Sequence, residues 1–499
     1  MSKNEVVIIG GGLGGLLSGA ILAKEGYAVT LVEKNKNIGG SLQSYKRFGV
    51  TFDTGMHVFG GMQNNGNIYR ICKYLDILND FKIEEIDNTN CYNVFVAEDN
   101  HTYDIGQGIN GFVYSLANYF PAQKQNIKRY LSAIYRIMDE SDLYYLRKHK
   151  HNLYDYSKDY SISANHLINE YITDKKLQSV ISSINTLYAG EKSITPAFLH
   201  AAISMVFIDG ACRVVGGYQN FANALGNCIY KYGGKIITGE EVIRIKTRDK
   251  IVDYIETNKG ITIKGDYIIS AISPNKMLDI MDDSNVFTNA YKTFIRDSKD
   301  SYSAFIINIK LKENTLPYSN QISFYLERYD SDWSVSDGTS VEKFMYMTPP
   351  SENQGFYART LNVTALMKWD AVKRWENTSV GKRGDEYIKW KQFISDIIIR
   401  KIGKIIPKFD DMIEDVDTAS PLTIRDYTAV RNGAMCGIRK NCNEMVNSFI
   451  PIKTKVKNLF LTGQNCNFHG FCGVSLTAVQ TCESLLGENF LIDKLNEIK

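Results

Sequence analysis

The N-terminal segment has two apolar runs separated by a helix-prone stretch. Val6 to Ile9 is a short apolar run typical of a buried strand, Leu16 to Lys24 favours a helix, and a second apolar run ends at Glu33. A buried strand, a helix and another buried strand in this order predict two parallel strands joined by a crossover helix. The chain therefore begins with a predicted βαβ unit.

Three glycines stand between the first strand and the helix, and they add chemistry to this unit. Gly10, Gly12 and Gly15 have the spacing G-x-G-x-x-G. The first allows a tight turn, the second lets a pyrophosphate approach the backbone, and the third lets helix and strand pack closely. The helix N-terminus offers N–H groups and a positive dipole end to the phosphates. Glu33 stands where a carboxylate can hold a ribose, so the unit predicts FAD or NAD and disfavours NADP.

Beyond Glu33 the pattern changes character several times. Gly39 and Gly40 mark a second turn at which backbone can approach a ligand, and residues 112–205 carry long helical patterns. The other predicted elements are a strand over Val50–Phe52, a helix over 65–87, a helix followed by a strand through Val242, strands over 266–273 and 458–464, and a final helix that opens at Gly473 and Val474. Strands and helices thus occur in both halves of the chain, which predicts an α/β protein.

A second glycine triplet resembles the first. Gly106, Gly108 and Gly111 also fit G-x-G-x-x-G, with a short strand before them and a helix after. A second strand ending in an acidic residue does not follow at the required distance, because residues 121–136 favour a helix. We therefore predict a hairpin that leads into a helix rather than a second nucleotide site.

Length, charge and cysteine usage restrict the class of protein. A chain of 499 residues exceeds one hydrophobic core, so two or more domains are expected. The net charge of +3 gives no reason to expect a nucleic-acid partner. The nine cysteines are dispersed without metal-ligand spacing, which predicts reduced thiols, no metal site and a cytoplasmic protein. The apolar N-terminus lacks a signal-peptide pattern, and no stretch approaches the roughly 20 apolar residues of a spanning helix.

One basic and aromatic segment leaves two interpretations open. Arg147 to Tyr156 reads RKHKHNLYDY, and it contains His149 and His151. A solvated helix end is the favoured interpretation for such a charge run. The alternative is a peripheral contact with a membrane surface, through which an apolar ligand would enter.

With these residues on the page, the chain resembles the phytoene desaturase-like flavoprotein family, within the wider amine-oxidase-type FAD superfamily. Among its branches it looks most like carotenoid isomerases and retinol saturases. The resemblance rests on four blocks: VVIIGGGLGGL with Glu33, FDTGMHVFGG, GGYQNFANAL…YGGKI…EVIRI, and NLFLTGQNCNFHGFCGVSLTAV. It implies an α/β fold in which a Rossmann-type FAD-binding domain is interleaved with an α+β substrate-binding (cap) domain. The FAD-binding domain would comprise residues 1–88, 205–285 and 420–499, and the cap would comprise residues 89–204 and 286–419.

The resemblance also implies which residues hold FAD. Val242 would contact adenine through its backbone, Gly463 and Gln464 would approach the pyrophosphate and ribityl chain, and Gly473 with Val474 would open the helix that faces the flavin pyrimidine. The whole implied set is Gly10, Gly12, Leu13, Gly14, Gly15, Glu33, Lys34, Gly39, Gly40, Ser41, Gly55, Met56, His57, Val242, Gly463, Gln464, Gly473 and Val474. Many relatives have arginine where Ser41 stands, so phosphate neutralisation here would depend on backbone amides or on another cation.

Two histidines are candidate catalytic residues. His57 follows FDTG and His469 lies in NFHGFCG, and the resemblance places both segments beside the isoalloxazine ring. They could polarise the site above the ring or relay a proton. The alternative for each is a structural histidine that is hydrogen-bonded to a loop carbonyl.

The predicted function is that of an FAD-dependent oxidoreductase acting on carbon–carbon double bonds of an isoprenoid, polyene or related lipid. Desaturation, saturation and cis–trans isomerisation would all use the same FAD-binding sequence, so the direction of the reaction stays open. The electron partner and the oligomeric state also stay open. A tunnel rich in Tyr and Phe would bind an apolar substrate by burying its length, at about 25 cal/mol per Å². Two alternatives remain: a flavin amine oxidase, and a flavin-binding lipid carrier without turnover.

Overall fold

The computed structural model describes residues 4–148 and 156–498. Within these ranges the strands are β1 (Glu5–Ile9), β2 (Ala28–Glu33), β3 (Ser44–Arg47), β4 (Val50–Asp53), β5 (Ile83–Glu85), β6 (Tyr92–Val96), β7 (His101–Ile105), β8 (Cys212–Val214), β9 (Lys235–Thr238), β10 (Val242–Arg248), β11 (Ile251–Thr257), β12 (Thr262–Ile263), β13 (Tyr267–Ser270), β14 (Ser303–Leu311), β15 (Ile322–Leu326), β16 (Lys343–Met347), β17 (Thr360–Met367), β18 (Ile413–Ala419) and β19 (Leu459–Leu461).

The α-helices over the same ranges are α1 (Leu13–Lys24), α2 (Asn67–Leu75), α3 (Gly108–Tyr119), α4 (Lys124–Asp139), α5 (Lys158–Ser161), α6 (Ala164–Tyr171), α7 (Lys175–Ser182), α8 (Ala197–Asp209), α9 (Gln219–Lys231), α10 (Pro274–Ile280), α11 (Asn289–Asp297), α12 (Asp385–Ile402), α13 (Phe409–Met412), α14 (Pro421–Thr428), α15 (Gly470–Leu486) and α16 (Phe490–Asn496). None of these described helices is long and apolar enough to cross a membrane.

A five-stranded parallel sheet, in the order β19-β13-β1-β2-β9, forms one layer of the protein. Its strands are nearly continuous apolar runs, as expected for a parallel sheet that helices cover. The crossover from β1 through α1 to β2 confirms the predicted βαβ unit. Helix α1 packs between α9 and α15, so the two ends of the chain meet here.

A seven-stranded mixed sheet, in the order β18-β14-β17-β16-β15-β6-β7, forms a second layer. Its strands pair antiparallel except where β15 meets β6. Helices α3, α4 and α6–α8 pack beside it and share one hydrophobic core with β6, β15 and β16. The strands of the two sheets alternate in blocks along the chain, which gives the interleaved α/β arrangement that the family resemblance implied.

The second glycine triplet lies in this second layer and forms the predicted hairpin. Strands β6 and β7 pair antiparallel, and α3 begins at Gly108. A side chain at Gly106 would come within 3.2 Å of the backbone of Gly111, so these glycines allow a tight strand-to-helix turn. The prediction of a hairpin leading into a helix is confirmed.

Several element boundaries differ from the sequence-based expectation. The helix predicted over 65–87 covers only Asn67–Leu75, because Asp76 takes a left-handed conformation (φ 63°). The strand predicted to run through Val242 is divided at Gly239 (φ +71°): β9 joins the parallel sheet, whereas β10 pairs with β11 in a separate antiparallel sheet. The final helix begins at Gly470 rather than at Gly473 and Val474.

The basic and aromatic segment lies mostly outside the described residues, and His149 and His151 are among those outside. At its described N-terminal end, Arg147 pairs with Asp139 at 2.5 Å and Lys148 pairs with Asp493 at 2.8 Å. The domain boundaries remain predictions, and the one at residue 205 falls within α8.

Candidate active site

Three glycine-rich segments from distant parts of the chain meet at the carboxyl ends of β1 and β19. Gly39 N donates to Gly11 O at 2.7 Å, which joins the second turn to the first. A Cβ at Gly14 would lie 3.2 Å from the backbone of Gly463, so α1 touches the turn after β19. Ligands of α/β folds bind at this edge of the sheet.

The glycine geometry fits a dinucleotide. Gly10 has a φ of +103°, which glycine adopts readily, and a Cβ at Gly15 would lie 2.1 Å from Gly10 O. A Cβ at Gly12 would meet nothing within 4 Å, so this glycine faces open space. Gly12 is also the N-cap of α1 and no side chain caps it, which leaves the N–H groups of Leu13 and Gly14 at an open helix N-terminus. These features are those that a pyrophosphate requires.

Glu33 is buried, and backbone donors hold its carboxylate in place. Oε2 accepts a hydrogen bond from Gly11 N at 2.7 Å, and Oε1 accepts one from Asn35 N at 2.8 Å. Each carboxylate oxygen has a second lone pair with which to accept a ribose hydroxyl. The Lys34 side chain donates to Asp426 O at 3.1 Å, and burial lowers the pKa of its ammonium group. Val242 is buried at the start of β10.

The second turn brings Ser41 to the mouth of the site. Gly40 contacts Gly12 closely, since a Cβ at Gly40 would lie 3.1 Å from Gly12 Cα. Ser41 is exposed, and its Cβ would lie 3.5 Å from a Cβ at Gly55. A serine here brings no charge, so this position depends on the N–H groups of the glycine turns to hold phosphate.

A large cavity lies between residues 55–60, residues 468–473 and the helices of the second layer. It contains about 1030 Å³ of empty space, including the part open to solvent. Five residues of the predicted site line it: Gly55, Met56, His57, His469 and Gly473. The opposite wall is apolar and includes Met138, Leu187, Tyr188, Leu199, Ala202, Ile203, Val206 and Met345. The structure therefore brings both candidate histidines to one apolar cavity.

His57 is a neutral, buried histidine of this cavity. Burial, and next to it the charge of Arg213, lower the pKa of His57 to about 4. The Arg213 guanidinium is itself buried and donates to Thr348 O at 2.8 Å and to Gln321 O at 2.5 Å. His57 is thus uncharged near neutral pH and can donate one hydrogen bond and accept another.

His469 is the N-cap of α15, and both of its ring nitrogens are buried without a hydrogen-bond partner among the described residues. Burial, and next to it the charge of Lys440, lower the pKa of His469 to about 3. Buried polar groups are normally hydrogen-bonded, so two orphan nitrogens beside a cavity indicate a ligand that pairs with them. This observation independently supports a cofactor at the N-terminus of α15.

The N-terminus of α15 lies three residues before the predicted one. Gly473 is therefore inside the first turn, and a Cβ there would lie 2.4 Å from Phe468 Cβ, so this glycine lets the preceding loop fold back on the helix. Val474, next to it, is half-buried. The Gln464 amide fits between Met435 O and Gly437 N, and so fastens the turn that contains Gly463.

The sequence predicted an apolar tunnel rich in Tyr and Phe, but it did not indicate that aliphatic residues of α8 form its wall or that a charge lies behind His469. Helix α8 supplies Leu199, Ala202, Ile203 and Val206 to the wall, while its opposite side is buried in the core. A helix that is hydrophobic all round must be buried all round, and that pattern was a readable signal. Lys440 carried no such signal, because its burial depends on contacts with segments distant from it in the sequence.

Comparisons with known proteins agree with this geometry. A family model described as flavin containing amine oxidoreductase matches residues 13–392. The all-trans-retinol 13,14-reductase of Danio rerio is 24% identical, over 97% of this chain and 86% of its own length. The chloroplastic prolycopene isomerase 2 of an Oncidium hybrid cultivar is 22% identical, over 93% of this chain and 80% of its own length. The solved structure of putrescine oxidase bound to putrescine superposes with a TM-score of 0.66 at 13% identity, over 97% of this chain and 99% of that chain. At this identity the similarity is one of fold.

Proposed function

The chain belongs to the flavin containing amine oxidoreductase family, and we propose that it uses FAD to change carbon–carbon double bonds of an isoprenoid or polyene substrate. The observation that carries this proposal is the apolar cavity that meets the N-terminus of α15 at His469. A long apolar molecule has no charged handle, so it needs a site of this kind. The retinol reductase and the prolycopene isomerase, by their names, act on such molecules.

Several of the sequence-based predictions are confirmed. The family match and the named relatives confirm the resemblance to the phytoene desaturase-like branch and the assignment as an enzyme. The fold class is confirmed by the layers of the structure and by its likeness to putrescine oxidase. FAD is the cofactor of this fold and family, as predicted.

The residues assigned to FAD form part of the proposal. Gly10, Gly12, Leu13, Gly14 and Gly15 would surround the pyrophosphate, and Glu33 would accept from the ribose hydroxyls. The remaining positions, at the adenine, ribityl and flavin parts of the cofactor, are Lys34, Gly39, Gly40, Ser41, Gly55, Met56, His57, Val242, Gly463, Gln464, Gly473 and Val474. The meeting of the three glycine turns and the orphan nitrogens of His469 support this assignment.

The protein's own residues would bind, orient and shield the reactants. When bound, FAD supplies hydride or single-electron transfer at its N5 edge. The apolar wall of α8 would exclude water and hold the polyene against that edge. His469 and His57 are both neutral, so each could donate a hydrogen bond to the ring or to the substrate without bringing a charge into the cavity. We propose these two as the catalytic residues.

We also propose a cytoplasmic protein that contacts a membrane surface when it takes up its substrate. The dispersed, unpaired cysteines and the apolar character of the cavity support this location.

An amine oxidase is the second candidate, favoured by the structural likeness to putrescine oxidase. Tyr144 and Tyr188 line the cavity and could contact an amine. Against this, the described residues that line the cavity include no carboxylate that would attract an ammonium group. The whole-chain likeness to the retinol reductase, at higher identity, also favours a polyene.

Anaerobic half-reactions of the FAD-loaded protein separate these functions. Dithionite-reduced protein is mixed with all-trans-retinol or with a cis-carotenoid, and flavin absorbance and products are followed by spectroscopy and mass spectrometry. We expect either flavin reoxidation with a saturated product, or a changed isomer with no net electron transfer. In a parallel sample, oxidised protein is mixed with putrescine and cyclohexylamine, and we expect no bleaching. Bleaching by amines would establish the second candidate, and a bound polyene that never changes would indicate a carrier.

A further inference from the structure

Lys440 is a buried cation whose partners are uncharged. Its side chain is 2% exposed, and Nζ donates to Ser448 O at 2.6 Å and to Asn465 O at 3.3 Å. It also lies 4.7 Å from the centre of the Phe449 ring. Among the described residues no carboxylate pairs with it. Cys466 is nearby, but burial raises the pKa of its thiol to about 12, so this neighbour is neutral.

A buried charge of this kind is costly unless an opposite charge lies close by. Lys343, the other buried lysine among the described residues, shows the usual solution. Lys343 donates to Asp332 O at 2.7 Å and has the carboxylate of that same residue beside it. Burial lowers the pKa of both lysines to about 7, but only Lys343 has a negative neighbour. Lys440 is therefore a buried cation without a negative neighbour among the described residues.

The charge of Lys440 acts towards the N-terminus of α15. Lys440 Nζ donates to the carbonyl of Asn465, which lies in the loop that joins β19 to α15 shortly before His469, and its charge also lowers the pKa of that imidazole. The open end of α15 adds the positive end of its dipole, and the orphan nitrogens of His469 can add an N–H donor. Three contributions that favour a negative charge thus act at the N-terminus of α15, which is where the proposed function puts the flavin pyrimidine.

We propose that Lys440 is a positioning residue that stabilises the negative charge of the reduced flavin and so raises its reduction potential. This inference rests on the proposed function. Two electrons and one proton, supplied by an external reductant, convert oxidised FAD into its hydroquinone anion. Burial lowers the pKa of Lys440 to about 7, so the anion also draws a proton from solvent onto the fraction of Lys440 that is neutral. The charged ammonium lowers the free energy of the anion relative to the neutral oxidised ring.

The test compares the reduction potentials of FAD-loaded variants by equilibration with reference dyes under dithionite. Lys440→Met removes the charge and keeps an apolar stem, Lys440→Arg keeps the charge, and Lys343→Met is the matched control at the other buried lysine. We expect Lys440→Met to bind oxidised FAD as the wild type does and reduced FAD at least tenfold more weakly, a fall of about 30 mV for a two-electron couple. Lys440→Arg should restore most of the potential, and Lys343→Met should leave it unchanged.

Two outcomes would overturn the inference. One is an unchanged potential in Lys440→Met, and the other is an equal fall in Lys343→Met, which would indicate a general structural effect. In the first case, weaker binding of dodecanoate to Lys440→Met would show that the charge serves a ligand carboxylate instead. If Lys440→Met does not fold, Lys440→Gln is measured in its place and judged by the same criteria. A wild-type protein that takes up no FAD would contradict the proposed function itself.

Discussion

The glycine turns and the cavity wall are built in opposite ways. At the glycine turns, backbone atoms form the site, and the key positions require a residue without a side chain. For example, a Cβ at Gly15 would collide with Gly10 O. At the cavity wall, side chains form the site, and they come from α4, α8, β16 and the loop before α15. A site formed by backbone tolerates almost no change of residue type, whereas a site formed by apolar side chains can exchange one for another of similar volume.

The largest expected effect is at the tightest glycine. Gly15→Ala puts a Cβ 2.1 Å from Gly10 O, so the strand and helix of the βαβ unit must move apart. Overpacking of this kind costs about 1–3 kcal/mol, and more where backbone is the obstacle. We expect a loss of at least that size in the free energy of unfolding, measured in urea, together with loss of FAD binding. Wild-type stability in this variant would show that α1 does not pack on β1 as described.

Gly12→Val should separate folding from cofactor binding. The open space in front of Gly12 accommodates a side chain in the cofactor-free protein, so the free energy of unfolding should stay close to that of the wild type. The same side chain would occupy the space proposed for the pyrophosphate. We expect FAD affinity to fall by about a hundredfold, or about 2.7 kcal/mol, in a fluorescence titration. Unchanged affinity would remove Gly12 from the proposed FAD site.

A substitution in the cavity wall should change the turnover of the substrate rather than the binding of FAD. Ala202→Phe fills part of the cavity from α8, whereas Ala122→Phe adds the same ring at an exposed position and serves as the control. We expect Ala202→Phe to retain FAD and to lower kcat/KM for the polyene by about tenfold, or about 1.4 kcal/mol. Equal activity in both variants would place the substrate elsewhere.

A pH dependence is expected behind that wall. His200 is buried, with Nε2 at 2.6 Å from Tyr130 Oη and Nδ1 at 3.0 Å from Tyr188 Oη, and burial lowers its pKa to about 3. Between pH 6.5 and that value the unfolded chain binds the extra proton, so His200 destabilises the fold as pH falls, by about 1.4 kcal/mol per unit.

His200→Gln removes this contribution while keeping a polar side chain. The difference in unfolding free energy between the wild type and His200→Gln should therefore shrink as the pH is lowered from 6.5. Urea titrations across that range would measure it. A constant difference would mean that His200 titrates at its ordinary pKa in the folded protein.

The comparison also explains which parts of the site were predictable. The roles of Gly10, Gly12 and Gly15 follow from spacing, because their constraint lies within one turn of chain. The start of α15 was placed three residues late, because Gly470 and Gly473 are equally plausible first residues until Phe468 is seen to fold back on the helix. The division of the strand near Val242 depended on which sheet each half could join, which local pattern does not encode.

The sequence by itself determined the βαβ unit, the dinucleotide fingerprint with Glu33, the look-alike nature of the second glycine triplet, and the resemblance that indicated FAD. These follow from backbone conformation and short-range periodicity, which neighbouring residues set. Only the tertiary structure brought His57 and His469 to one cavity, buried Lys440 without a carboxylate beside His469, and made α8 a wall. Those features depend on packing between segments far apart in the chain, and burial and charge are properties of that packing.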